Sequence, residues 1–219
     1  MAGIVRVDGQ VVDKPGTAVA DEAQVQVIGP KEPFVSRGGR KLAAALDHFA
    51  VDCTGTVCLD VGASTGGFTD CLLDRGAVRV YAVDVGHGQL DYGLRRDDRV
   101  VVMEGVNARH LQPDAIPEPC NLVTLDLSFI SLVKVVPAVL PFLAEQGRLL
   151  ALIKPQFEVG KGQVGKGGIV RDQKLRREVI RQRCEDLSSL GLEVMGIVDS
   201  EVPGAKGNRE AFALFRWRQ

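Results

Sequence analysis

The chain has 219 residues, 45% of them hydrophobic, which suits one medium domain with a small appendage and excludes wholesale disorder. Its 27 Lys+Arg nearly balance 28 Asp+Glu, so a net charge of −1 excludes a uniformly basic nucleic-acid binder. The longest apolar run, 132–144, is interrupted by Lys134, Pro137 and Pro141 and is too short for a membrane span, and the first ten residues lack the apolar core of a signal peptide.

Residues 1–28 read as short β runs punctuated by Asp8-Gly9 and Lys14-Pro15-Gly16, too few to bury a core alone. Residues 29–35 have the Gly-Pro texture of a linker, and a larger domain is expected over 36–219. Apolar residues at helical spacing predict a helix over 41–49 (Leu42, Ala45, Leu46, Phe49). Strands are then predicted at 57–61, 79–84, 99–103, 121–126, 148–153, 192–199 and 211–217, with helices at 67–75, 131–145 and 171–190. The alternation predicts an α/β, Rossmann-like, seven-stranded and mostly parallel sheet. The last two strands have no helix between them, so they are expected to form an antiparallel hairpin at its end. The cysteines (Cys53, Cys58, Cys71, Cys120, Cys184) are odd in number and show no C-x-x-C pair. Reduced cytoplasmic thiols and no metal site are expected, with Cys58 and Cys71 filling the core.

Ligands of such sheets bind beyond the carboxyl ends of the strands. The first candidate strand ends in Asp60-Val61-Gly62-Ala63-Ser64-Thr65-Gly66-Gly67-Phe68. Its spacing is not G-x-G-x-x-G. A carboxylate at Asp60 suits a ligand with a cationic amino-acid moiety and would repel a pyrophosphate. The second ends in Asp84-Val85, where a carboxylate can accept from ribose hydroxyls. The third leads to Asn107, a candidate reader of an adenine edge. The fourth ends in Asp126 and the fifth in Lys154-Pro155, an unusual place for lysine after five apolar residues. Glu210 opens the last strand, and Arg37, Arg40 and Lys41 open the first helix of the larger domain.

These segments resemble the FtsJ-like ribose 2′-O-methyltransferases, most closely the TlyA branch of rRNA methyltransferases. The matching stretches are SRGGRKL (36–42), LDVGASTGGFTD (59–70), YAVDVGHGQL (81–90), DLSFISL (126–132), LIKPQFEVGK (152–161), GIVRD (168–172) and GAKGNREAF (204–212). The resemblance implies a catalytic tetrad of Lys41, Asp126, Lys154 and Glu210, with Lys154 as base, although the residues alone do not choose between the two lysines. It implies S-adenosylmethionine (SAM) as cofactor, held by Asp60, the 62–68 loop, Asp84, Val85, Asn107 and Asp126. It also implies ribosomal RNA or ribosomal subunits as partner, with no membrane and no metal, in a monomer or weak dimer. Family members usually carry an N-terminal S4 RNA-binding module, of which residues 3–28 resemble the β half only. Candidate RNA contacts are Arg37, Arg40, Lys161, Lys166, Arg171 and Arg176, the last two on the basic helix 171–190 and the lysines in the glycine-rich loop 160–168. Competing readings are a methyltransferase for small molecules or proteins, a non-catalytic RNA-binding or ribosome-assembly factor, and a pore-forming hemolysin, which no amphipathic or membrane-inserting stretch supports.

Overall fold

A computed structural model describes residues 5–14, 16–28, 32–160, 162–165 and 167–218, with Ala205 described by its backbone alone. The chain divides into two compact units, 1–33 and 34–219. The first holds a three-stranded sheet of order β2-β1-β3, from β1 (Val5–Val7), β2 (Gln10–Val11) and β3 (Val25–Val27). Asp8 and Gly9, both at positive φ, turn β1 back onto β2 in the two-residue hairpin that this dipeptide favours. Part of the expected linker, 29–31, lies outside the described residues. Phe34 and Val35, also expected in the linker, belong instead to the larger unit: the Val35 N–H donates to Asp70 Oδ2 at 2.8 Å.

The larger unit contains α1 (Arg37–His48), β4 (Val57–Val61), α2 (Gly67–Asp74), β5 (Arg79–Asp84), α3 (Tyr92–Arg95), β6 (Val100–Glu104) and β7 (Cys120–Leu125). It continues with α4 (Val136–Val139), β8 (Leu143–Ile153), α5 (Pro155–Glu158), α6 (Gln173–Ser188), β9 (Leu192–Asp199) and β10 (Ala211–Trp217). The seven strands run in the order β6-β5-β4-β7-β8-β10-β9. β6, β5, β4, β7 and β8 pair in parallel, and β10 is antiparallel to both β8 and β9. This is the mostly parallel sheet with a terminal antiparallel hairpin that the residue pattern implies.

Each central strand is apolar on both sides because both sheet faces are covered. On one face Leu59, Val61, Val123 and Leu125 pack with Val136 and Val139 of α4 and with Ile180, Cys184 and Leu187 of α6. On the other, Cys58, Val80 and Leu122 pack with Leu42 and Leu46 of α1 and Cys71 and Leu72 of α2. All five cysteines are free and buried, and desolvation pushes the Cys58 and Cys71 thiols up to about 12, in keeping with a core-filling role. Among the described residues no helix is long and apolar enough to cross a membrane, and no cluster of three or more His, Cys, Asp or Glu is placed to hold a metal.

The expected helix over 131–145 is not one helix. It breaks into a 3₁₀ turn at Leu132–Lys134, the single turn α4 and a second 3₁₀ turn at Leu140–Phe142, after which β8 starts at Leu143. Pro137 and Pro141 each sit at the start of one of these pieces, where the missing N–H costs least, and neither can continue the helix before it. α1 begins four residues before the expected start at 41, because Ser36 Oγ accepts the Gly38 N–H and caps it there.

Asp60 joins the helix layer to the sheet. It is fully buried in β4, and its carboxylate accepts from Thr69 Oγ1 of α2 at 2.7 Å and Thr124 Oγ1 of β7 at 3.0 Å. Burial, only partly offset by those two hydrogen bonds, pushes its carboxyl up to about 7. A carboxyl with a raised native pKa binds its proton more tightly in the folded state. Its stabilising effect is therefore full below the unfolded value near 4, falls as pH rises, and is gone above about 7. Urea unfolding from pH 5 to 8 should show the wild type losing roughly 1–3 kcal/mol relative to Asp60→Asn. Parallel pH profiles for the two proteins would contradict this account.

Candidate active site

The parallel strands end along one edge of the sheet. β4 is flanked by β5 on one side and β7 on the other, so the chain's direction of progress reverses there and leaves a crevice. The crevice contains two adjoining cavities of about 450 and 440 Å³ that share Gly62, Ser64, Asp126, Ser128 and Phe129 as walls.

The first cavity holds the four tetrad positions. α1 presents Lys41 one turn after Arg37. Asp126 follows β7, where its N–H donates to Val61 O at 3.0 Å. Lys154 follows β8. Glu210 precedes β10, and because Ala211 of β10 lies opposite Ile153 of β8 in antiparallel register, Glu210 is brought to the same edge as Lys154. The four charges form two ion pairs: Lys41 Nζ to Glu210 Oε2 at 2.5 Å, and Lys154 Nζ to Asp126 Oδ1 at 2.6 Å. The first pair is deeper, with side chains 7% and 2% exposed against 11% and 23% for the second. Lys154 Nζ also donates to Ser128 Oγ at 3.0 Å and lies 5.9 Å from the Phe157 ring centre. Gln156 Nε2 donates to the other Glu210 oxygen at 3.1 Å.

The second cavity is bordered by Asp84, Val85, Asn107, Val106, Arg109, Leu127 and Ile130. Asp84 accepts the Ser64 N–H at 2.8 Å and the Gly86 N–H at 2.7 Å, which ties the glycine loop of β4 to the end of β5. Gly62, at φ +87°, lets that loop run against β7: a Cβ there would lie 2.6 Å from the Asp126 carbonyl oxygen. Asn107 Oδ1 accepts the Arg109 N–H. Ala63, Thr65, Gly67 and Phe68 line the first cavity and not the second, so the loop borders both. Gly66 caps the start of α2 behind them.

Two expected site residues are placed elsewhere. Asp60 is sealed beneath the loop by Thr69 and Thr124 and lines neither cavity, because its side chain points to the α2 face of the sheet. Arg176, expected at RNA, is only 5% exposed and lies under the start of β10, where its guanidinium donates to Arg209 O and pairs with Asp199. The one-turn spacing of α6 turns it inward, toward the sheet side on which Ile180 also lies. Arg37 and Arg40 are exposed at the start of α1, and Arg37 lines the first cavity. Arg171 is exposed and lines neither cavity. Lys161 and Lys166 lie outside the described residues.

The structure adds residues that the pattern did not single out. Phe129 is 91% exposed at φ +63°, forms a wall of both cavities, and its ring centre lies 4.9 Å from that of Phe157. A bulky residue at positive φ is strained, and such strain clusters at functional sites. The only sequence signal was its place three residues after Asp126, between Ser128 and Ile130. Glu104, at the end of β6, accepts N–H groups of Gly88 (2.8 Å), Gln89 (2.9 Å) and Leu90 (3.1 Å) and pairs with Arg95. These bonds hold its carboxyl well below the usual range. They pin the 86–90 loop, whose Gln89 borders the second cavity.

Comparison with known proteins matches this arrangement. Residues 34–217 match the model of the FtsJ-like methyltransferases. The chain is 50% identical over 216 residues to the 16S/23S rRNA (cytidine-2′-O)-methyltransferase TlyA of Mycobacterium tuberculosis, an alignment covering 98% of this chain and 81% of that protein. It is 41% identical over 219 residues to Hemolysin A of Brachyspira hyodysenteriae, covering 98% and 90%. The solved structure of a presumed hemolysin from Streptococcus thermophilus superimposes with a TM-score of 0.86 at 40% identity, covering 100% of this chain and 80% of that one. A cleft at the carboxyl edge of a doubly wound sheet, a match spanning nearly the whole larger unit and identity at this level agree with one another: the chain belongs to the FtsJ-like methyltransferase family.

Proposed function

We propose that the protein is a SAM-dependent methyltransferase acting on the ribose 2′-hydroxyl of ribosomal RNA, with cytidine as the target nucleotide and Lys41, Asp126, Lys154 and Glu210 as its catalytic tetrad. The observation that carries this reading is the convergence of four charged residues, distant in the chain, into two ion pairs inside one cavity. The relatives' substrates supply the choice of RNA and of cytidine.

The residues of the second cavity fit SAM. Asp84 stands at the end of β5, where a carboxylate can accept from ribose hydroxyls. Val85, Val106, Leu127 and Ile130 give an apolar slot for a purine, with Asn107 at its margin. The close approach of Gly62 to the β7 backbone places Gly62 and Ser64 on the walls of both cavities, where a ligand would pass. Bound there, SAM supplies a methyl group activated by a sulfonium centre.

The chain's own work is alignment and proton removal. A ribose hydroxyl is a very weak acid, so a base must take its proton during attack. Lys154 is suited to this: it belongs to the more exposed ion pair, and Asp126 and Ser128 aim its nitrogen into the cavity. In its neutral form its Nζ accepts the hydroxyl proton, and Asp126 then faces the ammonium so formed. Lys41 and Glu210, deeper and locked to each other, position the ribose. Phe129 stands between the two cavities, where nucleotide and donor would meet. We propose that residues 1–28 are a portion of an S4-type RNA-binding module and that the protein works in the cytoplasm, as rRNA modification requires.

Tritium transfer from labelled SAM to ribosomal RNA tests the tetrad. Lys154→Ala should lower kcat by about 10²–10⁴-fold while SAM affinity by calorimetry stays within about threefold. Turnover at the wild-type rate would refute the assignment. The loop clamp has a separate consequence. Glu104→Gln removes the charge that holds three backbone N–H groups and Arg95, so the Kd for SAM should rise about tenfold with kcat at saturation little changed. Calorimetric titration showing equal affinity for both proteins would remove Glu104 from that role.

A further inference from the structure

We propose that Arg176, a residue of α6 that lines neither cavity, is a positioning residue that sets the reach of Glu210; this rests on the catalytic reading of Glu210 given above. The Arg176 side chain is buried, and its guanidinium gathers three acceptors at the junction of β9 and β10. Nε donates to Arg209 O at 3.1 Å, and Nη2 donates to Asp199 Oδ1 at 2.5 Å and to Glu210 O at 3.4 Å. The Glu210 carbonyl is also held by the Ser200 N–H at 2.9 Å, so the backbone of Glu210 is pinned from two elements.

That pinning matters because the Glu210 carboxylate has little freedom to compensate. One oxygen meets Lys41 and the other Gln156. On its flank lies Gly204, where a Cβ would fall 2.1 Å from Glu210 Oε1. A shift of the β10 start by a fraction of an ångström must therefore be passed on to the Lys41 pair. The loop before β10 is fixed on its other side by Asn208, which accepts the Val170 N–H and donates to Gly168 O. Only a guanidinium fork reaches two carbonyls and a carboxylate at once; an ammonium presents a single point. Arg177 and Arg181, the neighbouring arginines of α6, are exposed and, among the described residues, engage their own helix, through Gln173 O and Glu185. This singles out Arg176 among them.

The test is kinetic and uses the whole protein. Arg176→Met should lower kcat for methyl transfer to ribosomal RNA by about 10–100-fold, with the KM for SAM within about twofold. Because the effect runs through Glu210, adding Arg176→Met to Glu210→Ala should slow that variant no further than about twofold. Should Arg176→Met not fold, Arg176→Lys, which retains the charge, carries the same cycle with a smaller first step. Two results overturn the proposal alone: a full additional loss in the double variant, or a rise in the KM for RNA with a changed salt slope, which would make Arg176 an RNA contact. A slow Glu210→Ala beside a full-rate Arg176→Met has the same effect. Full activity of Glu210→Ala overturns the tetrad reading itself, and Arg176's role with it.

Discussion

Two ammonium groups and two carboxylates share one small cleft, and they can do so only as pairs. An unpaired charge at the depth of Lys41 or Glu210 would cost several kcal/mol, since little water reaches it. The rest of the architecture is arranged to make that pairing possible. Asp126 and Lys154 lie at the carboxyl ends of adjacent parallel strands, so their pairing follows from the sheet order alone. Glu210 lies at the amino end of its strand and could not reach this edge if β10 ran parallel. The reversal of β10 between β8 and β9 is therefore a condition of the site as well as a feature of the fold.

The two cavities divide the chemistry. The Asp84 side combines apolar walls with Asp84, Asn107 and Arg109, and the carboxylates of Asp84 and of Glu104 beside the cavity are spent largely on holding loops by their N–H groups. That suits the binding of a ligand in one fixed pose. The tetrad side is built from two ion pairs, the groups that the proposed mechanism uses to move a proton. Gly62, Asp126 and Phe129 belong to both, so the geometry of one side is transmitted to the other within a few residues. Glu158 supports the same edge from behind: it accepts from Ser131 Oγ and the Leu132 N–H and meets Arg183, tying the turn after Lys154 to the segment after Asp126.

Much of this was legible in the residues. Strand cores such as VCLDV and RLLALI announce themselves because a strand covered on both faces must be apolar throughout. The polar residue that ends each one stands out for the same reason, which is how Asp84, Asp126 and Lys154 were found. The failures share a cause as well. Asp60 and Arg176 have the right chemistry for a ligand and for RNA, but burial and direction decide what a charged side chain can touch, and neither is written in residue type. The stretch 131–145 has helical periodicity, yet two prolines divide it into turns, and the periodicity of its apolar residues outlasts the helix itself. The basic residues of α6 made a plausible RNA surface in one dimension; in three, Arg176 is internal and Arg183 is bound to Glu158 and Asp186.

Alternation of apolar strands and helices, the helix-free connection before the last strand and the polar residues at strand ends are local properties, and local patterns of hydrophobicity specify them. The sequence by itself thus determined the fold class and the edge on which the site lies, while the family resemblance of its motifs pointed to the four residues that meet there. Tertiary structure alone decided which lysine pairs with which carboxylate, which pair is the more exposed, and that Phe129 divides the crevice. It also decided that Asp60 and Arg176 are buried and line neither cavity. These depend on register, strand direction and burial, which are set by contacts between separate segments, some as distant as Lys41 and Glu210, and so have no counterpart in any local pattern.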